Sequence, residues 1–219
     1  MSDLLPCVRI GSDSATHCII WLHGLGADGH DFEPIVGELN LTHNIRFIFP
    51  HAPNMPVTIN NGMVMPAWYD IKATQINSLQ DAEGIKKSQR AILALIESEI
   101  ESGIKSENII LAGFSQGGAI ALHTALRYEK PLAGIMGLST YLPLADTVEN
   151  EISSANKNIP IFLAHGTHDP VIPLPLATET NAYLQKLNYT TELKTYPMEH
   201  SVYPDEINDI SNWINRIFN

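Results

Sequence analysis

The sequence predicts an α/β fold in which a mostly parallel central sheet carries helices on both faces. Apolar runs of four to six residues alternate along the chain with segments of helical periodicity, a pattern typical of repeated βα units. Several of these runs, such as 109–112, are continuously apolar, as strands buried on both faces should be. With 219 residues, 44% of them hydrophobic, the chain can bury a large core, and no repeat or low-complexity tract divides it. We therefore expect residues 1–219 to form a single domain.

The periodicity assigns each element in chain order. An edge strand is expected near Val8, and six central strands are expected at 18–22, 46–49, 109–112, 134–138, 160–164 and 192–196. The clearest helix spans 81–102, where the isoleucines at 85, 92, 96 and 100 share one face and Gly103 ends the helix. Further helices are expected at 31–39, 116–128, 174–187 and 205–218. The segment 50–79 is predicted to be a long irregular loop, and loops of that length in compact domains are usually functional.

The charge balance argues against two classes of partner. The chain carries 24 acidic and 13 basic residues, a formal net charge of −11, and its Lys and Arg residues are scattered. Because a nucleic-acid surface needs clustered cations that displace counterions, we expect no nucleic-acid partner. Electrostatic binding to anionic membranes is disfavoured for the same reason.

The cysteines and the first residues bear on the compartment. Cys7 and Cys18 are too few for a disulfide scaffold and lack the His/Cys spacing of a zinc site. The chain does not begin with a basic stretch followed by an apolar one, as an export signal would. We therefore expect a reducing, cytoplasmic location.

The sharpest local signal is a G-x-S-x-G motif at 113–117, which lies directly between a predicted strand and a predicted helix. In that context the motif is typical of a nucleophile elbow, a sharp turn that presents a serine hydroxyl at a helix N-terminus. The alternative is a glycine-rich turn that serves packing alone. The motif makes Ser115 the candidate nucleophile.

A serine nucleophile needs a base and a group that orients the base, and both follow later in the chain. Asp169 follows the predicted strand 160–164, and His200 follows the last predicted strand. The alternatives are an ordinary Asp-Pro turn and a surface histidine. His165 and His168 are rival bases, but they would break the chain order of serine, acid and histidine, so we expect them to be structural.

A glycine-rich loop at 22–29 follows the first central strand. Loops of this type supply one backbone N–H of an oxyanion hole, and the residue after the nucleophile supplies the other. These roles fall on Leu25 and Gln116. A nucleotide site is disfavoured because neither a P-loop nor a Rossmann glycine pattern is present.

Taken in order, these segments resemble the acyl-protein thioesterase and lysophospholipase-like carboxylesterase family of α/β-hydrolases. The most specific matches are Pro-His-Ala-Pro at 50–53 and Met-Pro-Ala-Trp-Tyr-Asp at 65–70. The resemblance implies the α/β-hydrolase fold, Ser115, Asp169 and His200 as a catalytic triad, and the amides of Leu25 and Gln116 as oxyanion donors. It also implies that the substrate-binding residues are Met63, Met65 and Trp68.

Two positions depart from the family pattern. Glu199 stands where the family usually has glycine before the catalytic histidine, and Thr140 replaces a frequent glycine after the strand 134–138. A carboxylate beside His200 would favour the imidazolium if it pointed inward and would have no effect if it pointed to water.

We therefore expect a serine hydrolase that cleaves acyl esters or thioesters through an acyl-enzyme and needs no metal or organic cofactor. Its substrate would be a small ester, a lysophospholipid or an acylated protein. The alternatives are a dienelactone hydrolase or serine peptidase on the same fold, or a binding protein that has lost catalysis. The apolar loop at 55–68 would line an acyl pocket, cover the core or make a weak apolar contact with membrane. A homodimer is one alternative for the oligomeric state.

Overall fold

The computed structural model describes residues 4–73 and 79–219 of the chain. Its main sheet has seven strands in the order β1-β3-β2-β6-β7-β8-β9, and a separate hairpin joins β4 to β5. Only β1, at one edge of the main sheet, runs antiparallel to its neighbour. In chain order the strands are β1 (Cys7–Ile10), β2 (His17–Leu22), β3 (Ile45–Pro50), β4 (Asn54–Val57), β5 (Met63–Pro66), β6 (Ile109–Phe114), β7 (Gly134–Leu138), β8 (Ile161–Gly166) and β9 (Thr191–Tyr196). The predicted mostly parallel sheet is confirmed.

The helices cover both faces of this sheet. They are α1 (Ala82–Glu101), α2 (Gln116–Arg127), α3 (Ala145–Glu151), α4 (Leu174–Lys186) and α5 (Pro204–Phe218). Successive residues of β2 enter different cores, because side chains alternate across a strand: Ile20 packs with α1 and α2 on one face, and Trp21 packs in the core that α5 covers. The α/β architecture with two buried faces follows from this alternation.

The predicted helix at 31–39 is wrong in type and extent. The structure has a single short 3-10 helix there, Glu33–Gly37. Gly37, the last residue of this short helix, disfavours continuation as an α-helix, whereas Pro34 in the first turn is tolerated. The sequence prediction also missed α3, which has only seven residues and buries only Val148.

The predicted loop at 50–79 is partly ordered as a β-hairpin. Strands β4 and β5 pair antiparallel, with Met55 opposite Met65 and Val57 opposite Met63. The turn is closed by Asn61 and Gly62, both with positive φ (55° and 75°), which Asn and Gly tolerate better than other residues. Residues 74–78 of the predicted loop lie outside the described residues.

The structure also bears on membranes and disulfides. No helix within the described ranges has both the length and the apolar character that crossing a membrane requires. Cys7 on β1 and Cys18 on β2 are free thiols, and β3 lies between their strands. Two strand spacings are about 9.5 Å, which exceeds the Cα separation of a disulfide.

Candidate active site

Ser115 occupies the turn between β6 and α2 in a strained conformation. Its φ of 54° and ψ of −120° lie outside the regions that a non-glycine residue usually adopts. Two hydrogen bonds hold this backbone: the Ser115 N–H donates to the Leu138 carbonyl over 2.8 Å, and the Thr140 hydroxyl donates to the Ser115 carbonyl over 2.7 Å. The turn is therefore fixed by the next strand of the sheet and by the residues that follow it.

The glycines of the motif are explained by the close approach of backbone segments at this turn. A Cβ at Gly113 would lie 2.4 Å from the Gly117 carbonyl, and a Cβ at Gly117 would lie 2.4 Å from the Leu22 carbonyl. Backbone atoms cannot move away from such contacts at low cost. The motif is thus required for a sharp strand-to-helix turn packed against the end of β2.

The structure brings Ser115, His200 and Asp169 into one hydrogen-bonded chain. His200 Nε2 lies 2.9 Å from Ser115 Oγ, and His200 Nδ1 lies 2.6 Å from Asp169 Oδ2. The three residues follow β6, β9 and β8, whose C-terminal ends meet at the same edge of the sheet. An ionised carboxylate only accepts hydrogen bonds, so Nδ1 carries the proton and Nε2 is free to accept the serine proton.

The Asp169 carboxylate is buried and oriented by its own loop. Its Oδ1 accepts the backbone N–H groups of Val171 and Ile172 over 2.8 and 2.9 Å, which leaves Oδ2 for His200. His165 lies beneath this loop, where its Nε2 donates to the Ile172 carbonyl over 2.7 Å and lies 3.5 Å from Asp169 Oδ2. Burial lowers the pKa of His165, and this favours the neutral ring.

Neither of the two rival histidines, His165 and His168, lies where a general base for Ser115 would lie. His165 supports the loop of Asp169, and His168 is exposed on that loop. His200 alone of the three has Ser115 as a hydrogen-bond partner within the described residues.

Leu25 and Gln116, the two residues predicted to supply oxyanion-hole amides, line the same cavity as Ser115 and His200. Within the described parts of the chain, neither amide donates to a protein acceptor. His23 orients the first of them. Its Nε2 accepts the Ala52 N–H, so its Nδ1 carries the proton and donates to the Gly24 carbonyl over 2.7 Å. Since C=O and N–H point in opposite directions in a trans peptide, the Leu25 N–H points away from His23.

Gln116 also acts through its side chain. Its Oε1 accepts the Trp68 N–H over 2.8 Å, and its Nε2 donates to the Tyr69 carbonyl over 2.7 Å. The segment after the hairpin is thereby attached to the first turn of α2. Neither this contact nor those of His23 were predicted from the sequence. The His-Gly pair at 23–24 is a signal that could have drawn attention to His23, whereas nothing in the sequence pattern shows the side-chain contact of Gln116.

A cavity of about 320 Å³ opens at Ser115 and His200. Its apolar lining comes mainly from the glycine-rich loop, the segment after the hairpin and the loop of Asp169, and includes Leu25, Tyr69, Ile71, Leu79, Val171 and Ile172. The charged residues Asp31, Asp70 and Lys72 also border the cavity. An apolar cavity that ends at a few polar groups is typical of a ligand site.

The three residues predicted to bind substrate lie away from this described lining. Trp68 is buried in the core, where its indole N–H donates to the His23 carbonyl over 2.9 Å. Met63 is 63% exposed on the hairpin, and Met65 contacts Asn60 there. In this part of the chain the lining begins at Tyr69, whose carbonyl accepts a hydrogen bond from Gln116 Nε2.

The two departures from the family pattern have different consequences. Glu199 is exposed, and the described hydrogen bonds of the chain include none from its carboxylate to His200. Thr140, by contrast, is buried and donates to the Ser115 carbonyl. Its methyl group fills the space beside Gly118 and Gly137, where an added Cβ would lie 2.8 and 2.9 Å from Thr140 atoms.

The fold and this site define an α/β-hydrolase, and comparisons with known proteins agree. Residues 5–218 match the phospholipase/carboxylesterase family. The chain belongs to this family, which confirms the predicted fold and the predicted class of reaction, hydrolysis of acyl esters or thioesters.

Individual relatives cover almost the whole chain. Acyl-protein thioesterase 1 of Gibberella zeae is 38% identical over 224 residues, which span 97% of this chain and 95% of the relative. Acyl-protein thioesterase 1 of Cryptococcus neoformans is 37% identical and covers 98% of both chains. Among solved structures, Arabidopsis thaliana SOBER1 is 34% identical with a TM-score of 0.88, over 93% of this chain and 99% of its own. Zea mays acyl-protein thioesterase 2 is 28% identical with a TM-score of 0.87, over 98% and 99%.

Proposed function

We propose that the chain hydrolyses fatty acyl esters and thioesters with Ser115 as nucleophile, His200 as general base and acid, and Asp169 as the group that orients His200. The observation that carries this proposal is the hydrogen-bonded chain from Ser115 through His200 to Asp169 at the mouth of an apolar cavity. The reaction that such a Ser-His-Asp arrangement performs is acyl transfer through a covalent intermediate.

In the first half of the reaction, Ser115 Oγ attacks the acyl carbonyl while His200 Nε2 takes the hydroxyl proton. The negative charge that develops on the carbonyl oxygen is stabilised by the Leu25 and Gln116 N–H groups, and the N-terminus of α2 favours charge at the same place. The intermediate collapses as the bond to the leaving oxygen or sulfur breaks, and His200 returns the proton to that atom.

In the second half, water attacks the acyl group on Ser115. His200 takes a proton from the water, the same two amides stabilise the second oxyanion, and the Ser115 oxygen leaves with the proton from His200. The products are a carboxylic acid and the regenerated enzyme. The Asp169 carboxylate holds the tautomer of His200 throughout, because its Oδ1 is fixed by two backbone N–H groups.

The cavity supports an acyl group as the part of the substrate that is recognised. Its lining is mainly apolar, which suits a hydrocarbon chain better than the polar backbone of a peptide substrate. The name shared by the two acyl-protein thioesterases supports an acylated protein as a substrate, and the word phospholipase in the family name supports a phospholipid ester. Each buried methylene contributes about 0.8 kcal/mol, or roughly threefold to fourfold in kcat/KM, until the cavity is full.

The test compares wild type with Ser115→Ala on p-nitrophenyl esters, acyl thioesters and lysophospholipids, together with labelling by a fluorophosphonate. Ser201→Ala, at an exposed serine beside His200, is the matched control. We expect labelling and hydrolysis in wild type and in the control, and neither in Ser115→Ala. Labelling of Ser115→Ala at another serine would refute the assignment. Hydrolysis of peptides or lactones in preference to acyl esters would favour the alternative enzymes, and no turnover at all would favour a binding protein.

We also propose that the hairpin of β4 and β5 makes a weak apolar contact with membrane. Ile59, Met63 and Val64 are 39%, 63% and 65% exposed on it, and no Lys or Arg lies between Arg46 and Lys72. Exposed apolar side chains on one small element are unusual unless they meet another apolar surface. With a net charge of −11, such a contact has no electrostatic support from anionic lipid.

Co-sedimentation with neutral phosphatidylcholine vesicles tests this contact. The double variant Met63→Ser/Val64→Ser should lose vesicle binding, whereas Leu4→Ser, at an exposed leucine outside the hairpin, should keep it. Binding should not change with salt. Equal binding by the hairpin variant and wild type would contradict the proposal.

We also propose that the chain forms a single domain and resides in the cytoplasm. A single domain is supported by the main sheet, which includes strands from β1 to β9. A cytoplasmic location is supported by the two free thiols. A homodimer stays a prediction that light scattering tests.

A further inference from the structure

Two cavities meet at Tyr141. The first is the cavity of about 320 Å³ that opens at Ser115. The second has a volume of about 240 Å³ and lies between the start of α3 and α4, lined by Tyr141, Leu142, Ala145, Leu176 and Tyr183 together with Glu179 and Thr180. In the described part of the chain, Tyr141 is the one residue that lines both cavities.

The ring of Tyr141 is held in place through its hydroxyl group. That hydroxyl lies 2.7 Å from the hydroxyl of Tyr69, and both rings are buried, with 5% and 3% exposed. Tyr69 is itself held by the bond from Gln116 Nε2 to its carbonyl. A chain of contacts thus runs from the first turn of α2 to the tip of the Tyr141 ring.

The backbone on either side of Tyr141 is also fixed. Thr140 before it donates to the Ser115 carbonyl, and the Leu142 N–H after it donates to Thr180 Oγ1 over 2.9 Å. The Tyr141 side chain has little rotational freedom, because its hydroxyl group and both neighbouring residues are held by hydrogen bonds. The boundary between the cavities is therefore a rigid one.

We propose that Tyr141 sets the upper limit of acyl-chain length by separating the acyl cavity from the second cavity. This inference rests on the proposed function and adds a specificity-determining residue to it. The second cavity has an apolar lining of Leu142, Ala145 and Leu176, so it can take the far end of a long acyl chain once the ring is removed. In wild type the benefit of added methylenes ends where the chain meets the ring.

The test measures kcat/KM for p-nitrophenyl esters from acetyl to palmitoyl. In wild type we expect a rise of roughly threefold to fourfold per methylene that stops at a medium chain length. In Tyr141→Ala the rise should continue over several further methylenes, so that the ratio of palmitoyl to octanoyl activity increases by at least about tenfold relative to wild type. Tyr69→Phe keeps the ring of Tyr141 and removes only its hydroxyl partner, and should give a smaller increase.

Ala145→Phe provides the matched control, because Ala145 lines only the second cavity. Alone, this change should leave the chain-length profile of wild type as it is, since the acyl chain does not reach that cavity. Combined with Tyr141→Ala, it should cancel the gain for palmitoyl ester. Non-additivity of the two changes places the end of the acyl chain in the second cavity.

Several outcomes would overturn the inference. One is a Tyr141→Ala protein that is still labelled at Ser115 by a fluorophosphonate but whose kcat/KM peaks at the same acyl-chain length as in wild type. Another is a gain in palmitoyl ester hydrolysis that Ala145→Phe does not cancel. If Tyr141→Ala is not labelled, Tyr141→Leu decides by the same criterion, with a smaller shift expected. Failure of the proposed function would differ from all of these, because wild type itself would then show no labelling at Ser115.

Discussion

Replacement of Asp169 by Asn should abolish most of the activity through the tautomer of His200. Two backbone N–H groups, of Val171 and Ile172, donate to Asp169 Oδ1 over 2.8 and 2.9 Å. In Asp169→Asn the carboxamide oxygen must take this place, because its NH₂ group would otherwise face two donors. The NH₂ group is then directed at His200 Nδ1 and donates to it. The neutral ring must carry its proton on Nε2, where it cannot accept the proton of Ser115.

The expected loss of kcat follows because His200 can no longer act as general base, although the positions of the three residues are unchanged. An equivalent change in a serine protease triad lowers kcat about 10⁴-fold, so we expect a loss of about 10³ to 10⁴-fold, or roughly 4–5.5 kcal/mol in activation free energy. KM should change little, because Asp169 does not belong to the described lining of the cavity. The assay is kcat and KM on p-nitrophenyl butyrate, with nitrogen NMR of the imidazole to identify the tautomer.

Asp209→Asn is the matched control. Asp209 is likewise bound to neighbours, with Lys194 Nζ at 2.7 Å and the Tyr196 hydroxyl at 2.8 Å, but it lies on α5 outside the site. We expect its kcat to equal that of wild type. An Asp169→Asn enzyme within tenfold of wild type, or one whose His200 keeps the proton on Nδ1, would refute the reasoning.

Two further variants test the role of Glu199 and the effect of the buried His123 on stability. Glu199→Gly should leave kcat/KM unchanged from pH 5 to 9, because Glu199 is exposed and its carboxylate makes no described hydrogen bond to His200; a changed profile would mean that this carboxylate faces His200. Burial lowers the pKa of His123 to about 3. Below about pH 6.5 the unfolded state binds a proton at this histidine that the folded state does not bind. The free energy of unfolding therefore decreases as the pH falls below about 6.5. At pH 4.5 the loss is about 2–3 kcal/mol relative to pH 7.5, and urea unfolding of His123→Leu should lack it; parallel pH dependences in the two proteins would contradict this account.

The central strands were predictable because their burial leaves a local trace. Strand β7 is buried along its whole length and β6 along all but its last residue, so both appear in the sequence as apolar runs between helices. The three residues of the hydrogen-bonded chain were predictable for a related reason. Each follows the C-terminal end of a strand, and in a parallel sheet those ends share one edge.

The hairpin was not predicted because its sequence gives conflicting signals. Prolines at 53, 56 and 66 argue against a strand, since proline cannot donate in a ladder. Pro56 is tolerated here because β4 and β5 form a sheet of only two strands, in which each strand has a free edge. The Asn61-Gly62 pair is a hairpin signal that could have been used.

The lining of the cavity could not be predicted from local patterns. Tyr69 and Ile71 on one side and Val171 and Ile172 on the other come from irregular segments without a period of 2 or 3.6. Their placement depends on tertiary contacts: the Gln116 side chain bonds the segment of Tyr69, and the Asp169 carboxylate bonds the N–H groups of Val171 and Ile172. The resemblance implied Met63, Met65 and Trp68, whereas the lining residues of that part of the chain are those from Tyr69 onward.

Gln116 links the chemistry of the site to its selectivity. Its backbone N–H is one of the two proposed oxyanion donors, and its side chain fixes Tyr69, whose hydroxyl in turn holds Tyr141. A substitution at 116 would therefore disturb both the first turn of α2 and the boundary of the acyl cavity, and a loss of activity there could not be assigned to either. Tyr141 lies at the far end of the same chain of contacts. Its substitution changes the boundary while the Ser115 turn keeps the hydrogen bonds from Thr140 and to Leu138, so chain-length selectivity can be altered there without removing a group that acts on the reacting carbonyl.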